Sequence, residues 1–326
     1  MRLKSNKAYA VFFMIYFLLV LPGCASMDKA KDLFRKSEYD KILERQRQKQ
    51  SAQAVNSDED ILKDIPEMSG EGHERLGDNH LIQGDFTMAY IEYHKAMESD
   101  PDSVRLHYKT GKLYLKRGLP EQAVEEFRKI LSYDPDHELA FEGLGCAYFK
   151  LDKIAESSEN FHKALELDPG SWLPHNFLGV IYDRQRKYDD AIKEYMAAAA
   201  LKPGSAMILN NLGLSYYLKG EYEKAVRIFY QALETGSPDI RIYNNLALAL
   251  CRLERYDEAM DAFRRAGDKA SAFNNLGYCY MKEGHYKEAI KAFENAISAN
   301  SSFYVRAHNN MVDAKEASRN ISTNKH

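Results

Sequence analysis

Leu178-Gly179-Val180-Ile181-Tyr182 and, 34 residues later, Leu212-Gly213-Leu214-Ser215-Tyr216 decide the reading of this chain. On either side of Gly179, glycine recurs every 34 residues, at 77, 111, 145 and 213. Ala247 continues the series, and Gly277 restarts it after a step of 30. Two further columns keep step. Ala89, Ala123, Ser157, Ala191, Ala225, Ala259 and Ala289 fall twelve residues after each of these small residues. Tyr93, Phe127, Phe161, Tyr195, Phe229, Phe263 and Phe293 fall sixteen after. Pro101, Pro135, Pro169 and Pro203 close the period. A small residue and a tyrosine three positions on (Tyr114, Tyr148, Tyr182, Tyr216, Tyr280) share one helix face, where the small side admits a partner helix. The alanine and the aromatic four residues after it share a face of a second helix. Gly118, Gly220 and Gly284 fall at the turn between the two, and the prolines stop the second helix. The spacing predicts a helix-turn-helix unit used seven times, starting near 70, 104, 138, 172, 206, 240 and 270.

This pattern resembles the tetratricopeptide repeat (TPR), whose Leu-Gly-x2-Tyr…Ala-x3-Phe…Pro period is matched nearly column for column over residues 70–303. The resemblance implies an all-α fold, a right-handed TPR superhelix or α-solenoid of seven helix-turn-helix repeats. Two departures carry expectations. The sixth repeat lacks four residues after Arg264-Arg265-Ala266-Gly267, so the regular rotation of the stack is expected to be disturbed there. Residues 304–318 begin like another first helix but turn polar, as expected of a C-terminal capping helix that solvates the last open face, followed by a tail at 319–326.

The chain has 326 residues, a formal net charge of -3, 45% hydrophobic and 29% charged residues, an ordinary balance for a folded protein. It lacks the strong basic excess expected of a nucleic-acid partner, and no such partner is expected. Arg2, Lys4 and Lys7 precede an apolar run at 8–21, shorter than the roughly 20 residues of a membrane span. Leu21-Pro22-Gly23-Cys24 resembles the bacterial lipobox, with Pro22 a departure from the usual small residue. Residues 1–23 are accordingly read as a lipoprotein signal peptide and Cys24 as the lipidated mature N-terminus. Residues 24–69 are read as a charged tether or helix. Ala25, where an inner-membrane retention signal often has Asp, favours the periplasmic face of the bacterial outer membrane. Cys146, Cys251 and Cys279 show no metal-ligand spacing and sit in helical patterns, so they are expected to be buried and inert rather than a disulfide framework.

No Gly-x-Ser-x-Gly elbow, His-Glu-x-x-His or phosphate-binding glycine loop is present, and the ten histidines look scattered. Neither an enzyme nor a cofactor nor a metal site is expected. Function is expected on the concave groove that first helices line in such stacks. The sixth column of the repeat reads Arg75, Lys109, Gly143, Phe177, Asn211, Asn245, Asn275 and, in the cap, Asn309. The fifth adds Asn176, Asn210, Asn244 and Asn274. A ladder of amides, each donor and acceptor, can clamp the backbone of an extended peptide; alternatively it can bridge neighbouring repeats. A basic thirteenth column, Lys116, Lys150, Arg184, Arg252 and Lys282, suits an acidic partner segment or plain solvation. The expected partners are a protein segment in the groove and a membrane through the N-terminal lipid. The lipobox with the repeats resembles the pilotin and assembly lipoproteins of type IV and Tad pili, which implies a scaffold for pilus or secretion assembly. Adaptors in exopolysaccharide export or murein hydrolase recruitment share the ground plan, as does a passive spacer.

Overall fold

The rules of helix capping write the element boundaries directly into the chain. Ser69 accepts a hydrogen bond from Gly72 N to open the first helix, and Asp85, Asp239 and Asp268 cap later ones in the same way. Where a first helix ends, the chain needs a left-handed residue to turn back. Gly84, Gly118, Gly220 and Gly284 supply it in four repeats; Asp152, Arg186 and Glu254 adopt φ 58–60° to do the same work in the others.

The computed structural model describes residues 68–299 and 304–323; Cys24, the signal peptide and nearly all of the tether lie outside the described residues. The helical stack belongs to one compact unit, Ser69–His326. Its fifteen described helices are α1 Gly70–Gln83, α2 Phe86–Ser99, α3 Val104–Arg117, α4 Pro120–Tyr133, α5 Glu138–Lys150, α6 Ile154–Leu167, α7 Trp172–Arg184 and α8 Tyr188–Leu201. They continue with α9 Ala206–Lys219, α10 Tyr222–Glu234, α11 Ile240–Arg252, α12 Tyr256–Ala266, α13 Lys269–Lys282, α14 Tyr286–Ala299 and α15 Tyr304–Thr323. Each odd helix pairs with the even helix after it, and each even helix packs on the next odd one, giving an all-α TPR solenoid of seven pairs closed by α15. No described helix is long and apolar enough to cross a membrane.

The pairs are held by one recurring contact. The aromatic of the second helix lies flat against the small residue of the first. A Cβ built on Gly179 would stand 2.6 Å from Tyr195, and one on Gly213 2.6 Å from Phe229, so glycine is what lets the ring in. Tyr93, Phe127, Phe161, Tyr195, Phe229 and Phe293 are all fully buried in this way. Each such ring contributes roughly 2–3 kcal/mol of apolar burial. Because the contact is made within a repeat, every unit contains its own nucleus and leans only on its neighbours.

Consecutive first helices touch one another from α3 through α15, while consecutive second helices make no comparable contact among the described residues. Elements on the inside of a curved stack are the crowded ones, so the first helices line its concave side.

Candidate functional site: the face of the first helices

The fifth and sixth columns of the first helices meet at the repeat boundaries, and their amides pair there. Asn211 Nδ2 donates to Asn176 Oδ1 at 3.1 Å, tying α9 to α7, and Asn245 Nδ2 donates to Asn210 Oδ1 at 2.9 Å, tying α11 to α9. At the end of the stack Asn310 Nδ2 donates to Asn274 Oδ1 at 2.9 Å, tying α15 to α13. Asn176, Asn210, Asn245 and Asn274 are buried. These four amides therefore face other protein groups rather than standing free in the groove. In the cap Asn309 is exposed, and Asn310, one position on, makes the bridge to α13. One residue along a helix is a rotation of about 100°, enough to exchange an inward for an outward position.

Asn211, Asn244 and Asn275 remain half-buried on the same face. Phe177, Leu214, Leu248 and Tyr278 lie on this face beside them, also half-buried. The result is a strip of amide and apolar side chains running from α7 to α13. Such a surface offers hydrogen bonds to a peptide backbone and dry patches to its side chains.

The N-terminal end of the face has different chemistry. Lys109 reaches Glu74 at 2.6 Å and Asp78 at 2.7 Å, and Arg105 reaches Glu74 at 2.7 Å, so α3 is tied to α1 by charge. Burial pulls the Lys109 ammonium down, but its bonds to Asp78 and Glu74 outweigh this and hold it above its ordinary value. The basic column is likewise partly committed. Arg184 pairs with Asp152 at 3.1 Å and Arg252 with Glu283 at 2.7 Å, both across a repeat boundary. Lys116, Lys150 and Lys282 stay exposed, the last with its ammonium 5.2 Å from the Tyr278 ring centre. Exposed pairs of this kind contribute little to stability, of order 0–1 kcal/mol.

A buried carboxyl sits midway along the stack. Asp183 of α7 is 5% exposed and accepts from Ser215 Oγ at 2.8 Å and Tyr195 OH at 3.0 Å. Burial raises it to about 7, against the lowering effect of the two hydroxyls.

Two readings of the sequence are corrected by the structure. Three of the ten histidines are not scattered: His73, His107 and His175 share the fourth column of their repeats. Each places Nδ1 2.6–2.7 Å from a glutamate on the partner helix, Glu92, Glu126 and Glu194. The signal was visible as two steps, of 34 and 68 residues, matched by glutamates nineteen positions after each histidine. His107 also places Nε2 2.9 Å from Pro101 O. The cysteines are not all inert either. Cys251 and Cys279 are joined in a disulfide between α11 and α13, while Cys146 is a free thiol that burial pushes well above its ordinary value. Spacing inside each helix does not reveal the pair; the repeat register does, since the two positions face each other across a boundary. No group of three or more His, Cys, Asp or Glu suited to a metal ion occurs among the described residues.

Comparison with known proteins gives two family matches. The model described as the C-terminal domain of cilia and flagella-associated protein 70, a TPR domain, matches residues 35–275, and that of the tetratricopeptide repeat matches residues 270–303. No curated protein sequence matches. Among solved structures, that of a MamA protein is 31% identical, covering 51% of this chain and 91% of that one, with a TM-score of 0.43. The structure of pilF from Pseudomonas aeruginosa is 21% identical, covering 60% and 90%, with a TM-score of 0.50. A tetratricopeptide repeat protein from Parabacteroides merdae is 16% identical, covering 76% and 98%, with a TM-score of 0.52. The last two share the fold.

Proposed function

This chain belongs to the family of TPR domains represented by the C-terminal domain of cilia and flagella-associated protein 70, and from that premise we propose that it is a membrane-tethered scaffold that holds a protein segment against its first helices. TPR stacks are protein-interaction scaffolds, and the observation that carries the reading here is the strip of Asn211, Leu214, Asn244, Leu248, Asn275 and Tyr278. These side chains are half-buried and offer both amides and apolar surface. The bound segment is read as extended, because amides at repeat spacing match the repeating N–H and C=O groups of a strand-like backbone. Specific contact is expected mainly between α9 and α13, where the amides are accessible; there the exposed Lys282 favours acidic residues in the segment, and Lys116 and Lys150 would do so only for a segment that runs on to α3 and α5.

The tether rests on Leu21-Pro22-Gly23-Cys24, and the envelope or pilus-assembly setting on the resemblance of lipobox plus repeats to assembly lipoproteins. On this reading Cys24 carries the lipid and the stack faces the periplasm from the outer membrane. Acyl chains bury about 0.8 kcal/mol per CH2, enough to hold the protein at the bilayer once two or more are attached.

The test uses the full-length chain in membranes, with crosslinking and recovery of bound protein. Asn244→Ala with Asn275→Ala removes two accessible amides that tie no repeat boundary, so folding by circular dichroism should be unchanged and capture of the partner should fall. Asn176→Ala, which breaks a buried bridge, should lower stability without abolishing capture in the folded fraction. Unchanged capture in the double variant would leave the stack a spacer. Cys24→Ser should abolish incorporation of labelled fatty acid and release the protein from membranes; retention of the label would remove the tether.

A further inference from the structure

Successive first helices are tied across their boundaries by asparagine pairs at α7–α9, α9–α11 and α13–α15. At α11–α13 this tie is missing. Asn244 stands at the acceptor position and Asn275 at the donor position, yet they are not bonded to each other. Asn275 Oδ1 instead receives a long contact, 3.5 Å, from its neighbour Asn274. The same boundary follows the shortened repeat. Its second helix, α12, has 11 residues where the other second helices have 13 or 14, so α13 is docked one helical turn of chain earlier than any other first helix. At this boundary the amides do not meet, although Cys251 and Cys279 do.

The disulfide Cys251–Cys279 lies at this one boundary, with the two Cα atoms 5.9 Å apart. Its place in the repeat is not new. The twelfth residue of one first helix meets the tenth of the next at other boundaries too. At α5–α7 the two are Phe149 and Ile181, and at α9–α11 they are Tyr217 and Ala249. At α7–α9 they are Asp183 and Ser215, joined by the 2.8 Å hydrogen bond already described. The cysteines thus occupy a pre-existing inter-repeat contact and convert it into a covalent one where the neighbouring amide tie has been lost. They are 2% and 4% exposed.

We propose that Cys251–Cys279 is a native staple that replaces the missing asparagine tie at the shortened sixth repeat, so that docking of α13–α15 on the stack depends on an oxidising compartment. Forming the bond takes two electrons and two protons from the paired thiols. They pass to the disulfide of an exchange partner, which leaves as a dithiol; reduction by a dithiol runs the same exchange backwards. Burial shields the sulfurs while the stack is closed, so reduction proceeds through local opening of the α11–α13 boundary. Cys146 lies in α5, three first helices before α11, and is a free thiol outside this boundary.

The full-length chain, isolated without reductant, is denatured and alkylated with one reagent, then reduced and alkylated with a second of different mass. Cys251 and Cys279 should take only the second label and Cys146 the first; the first label on Cys251 or Cys279 overturns the staple. Hydrogen exchange is then compared in the same preparation before and after dithiol treatment, which needs no refolding, and in Cys251→Ser with Cys279→Ser. Amides of α13, α14 and α15 should exchange on the order of 100-fold faster once the bond is gone, with α5–α9 unchanged. Equal exchange in all three states would show that the bond forms but ties nothing. An even acceleration along the whole stack would show a global stabiliser instead of a tie at one boundary. Either result overturns the proposal.

Discussion

Asp183→Asn is the substitution that best tests the physics of this stack. The Asp183 carboxyl is 5% exposed and has two hydroxyl donors and no cation against it. Burial therefore holds it at about 7, against 3.8 for an ordinary aspartate. An acid whose folded value is raised contributes full stability only below its unfolded value. As pH rises above about 4, the unfolded chain ionises first and stability is lost; the loss ends once the folded carboxyl has itself ionised, somewhat above pH 7. At about 1.4 kcal/mol per tenfold, the wild type should lose about 3 kcal/mol between pH 5 and pH 8 through this group alone. Asparagine keeps the shape and one acceptor but cannot ionise, so the variant should lack this slope. Since repeat arrays need not unfold in one step, the assay is hydrogen exchange of α7–α9 amides at both pH values, corrected for intrinsic exchange. Relative to the variant, the wild type should lose on the order of 100-fold protection on going from pH 5 to pH 8. Parallel pH profiles for the two proteins would refute the reasoning. They would mean that water reaches the carboxyl or that a cation approaches it.

Other residues give independent tests. Gly213→Ala puts a methyl group 2.6 Å from the Phe229 ring and should destabilise the fifth repeat by about 1–3 kcal/mol in denaturant melts, despite alanine's better helix propensity. His107→Ala leaves Glu126, 7% exposed, with Lys129 as its remaining ionic partner and should cost about 3–5 kcal/mol. His107→Ala combined with Glu126→Ala should recover part of that loss, and an equal loss in the double variant would show that the pair carries no buried charge. Arg186→Gly relieves a left-handed turn at φ 60° and should raise stability by up to about 1 kcal/mol, measured as an upward shift in thermal midpoint.

Much of the architecture could be read from the chain because the repeat contact is local. Gly179 meets Tyr195 only sixteen residues away, within one pair of helices, and the requirement for a small residue under a ring reappears at 34-residue spacing wherever a pair is built. What happens between repeats was harder to read, since it depends on how far each helix is lifted and rotated by the one before it. The asparagines are a case in point. Their spacing marked one face, but whether an amide turns to solvent or to its neighbour is decided by a few ångströms at the boundary. Asn245 is buried against Asn210 while Asn244, the adjacent residue, has no such tie.

The sequence alone determined the all-α repeat stack, the seven pairs and the closing helix, because these rest on periodic burial and on turn residues that act within a few positions of themselves. Only the tertiary structure decided which polar groups meet. It paired the fourth-column histidines with glutamates nineteen residues away, closed the asparagine columns on each other, and raised Asp183 by surrounding it with α8 and α9. It also placed Cys251 against Cys279 across a shortened repeat. Hydrogen bonds, buried charge and disulfides depend on distance to within an ångström, and that distance belongs to the stacked helices rather than to any one of them.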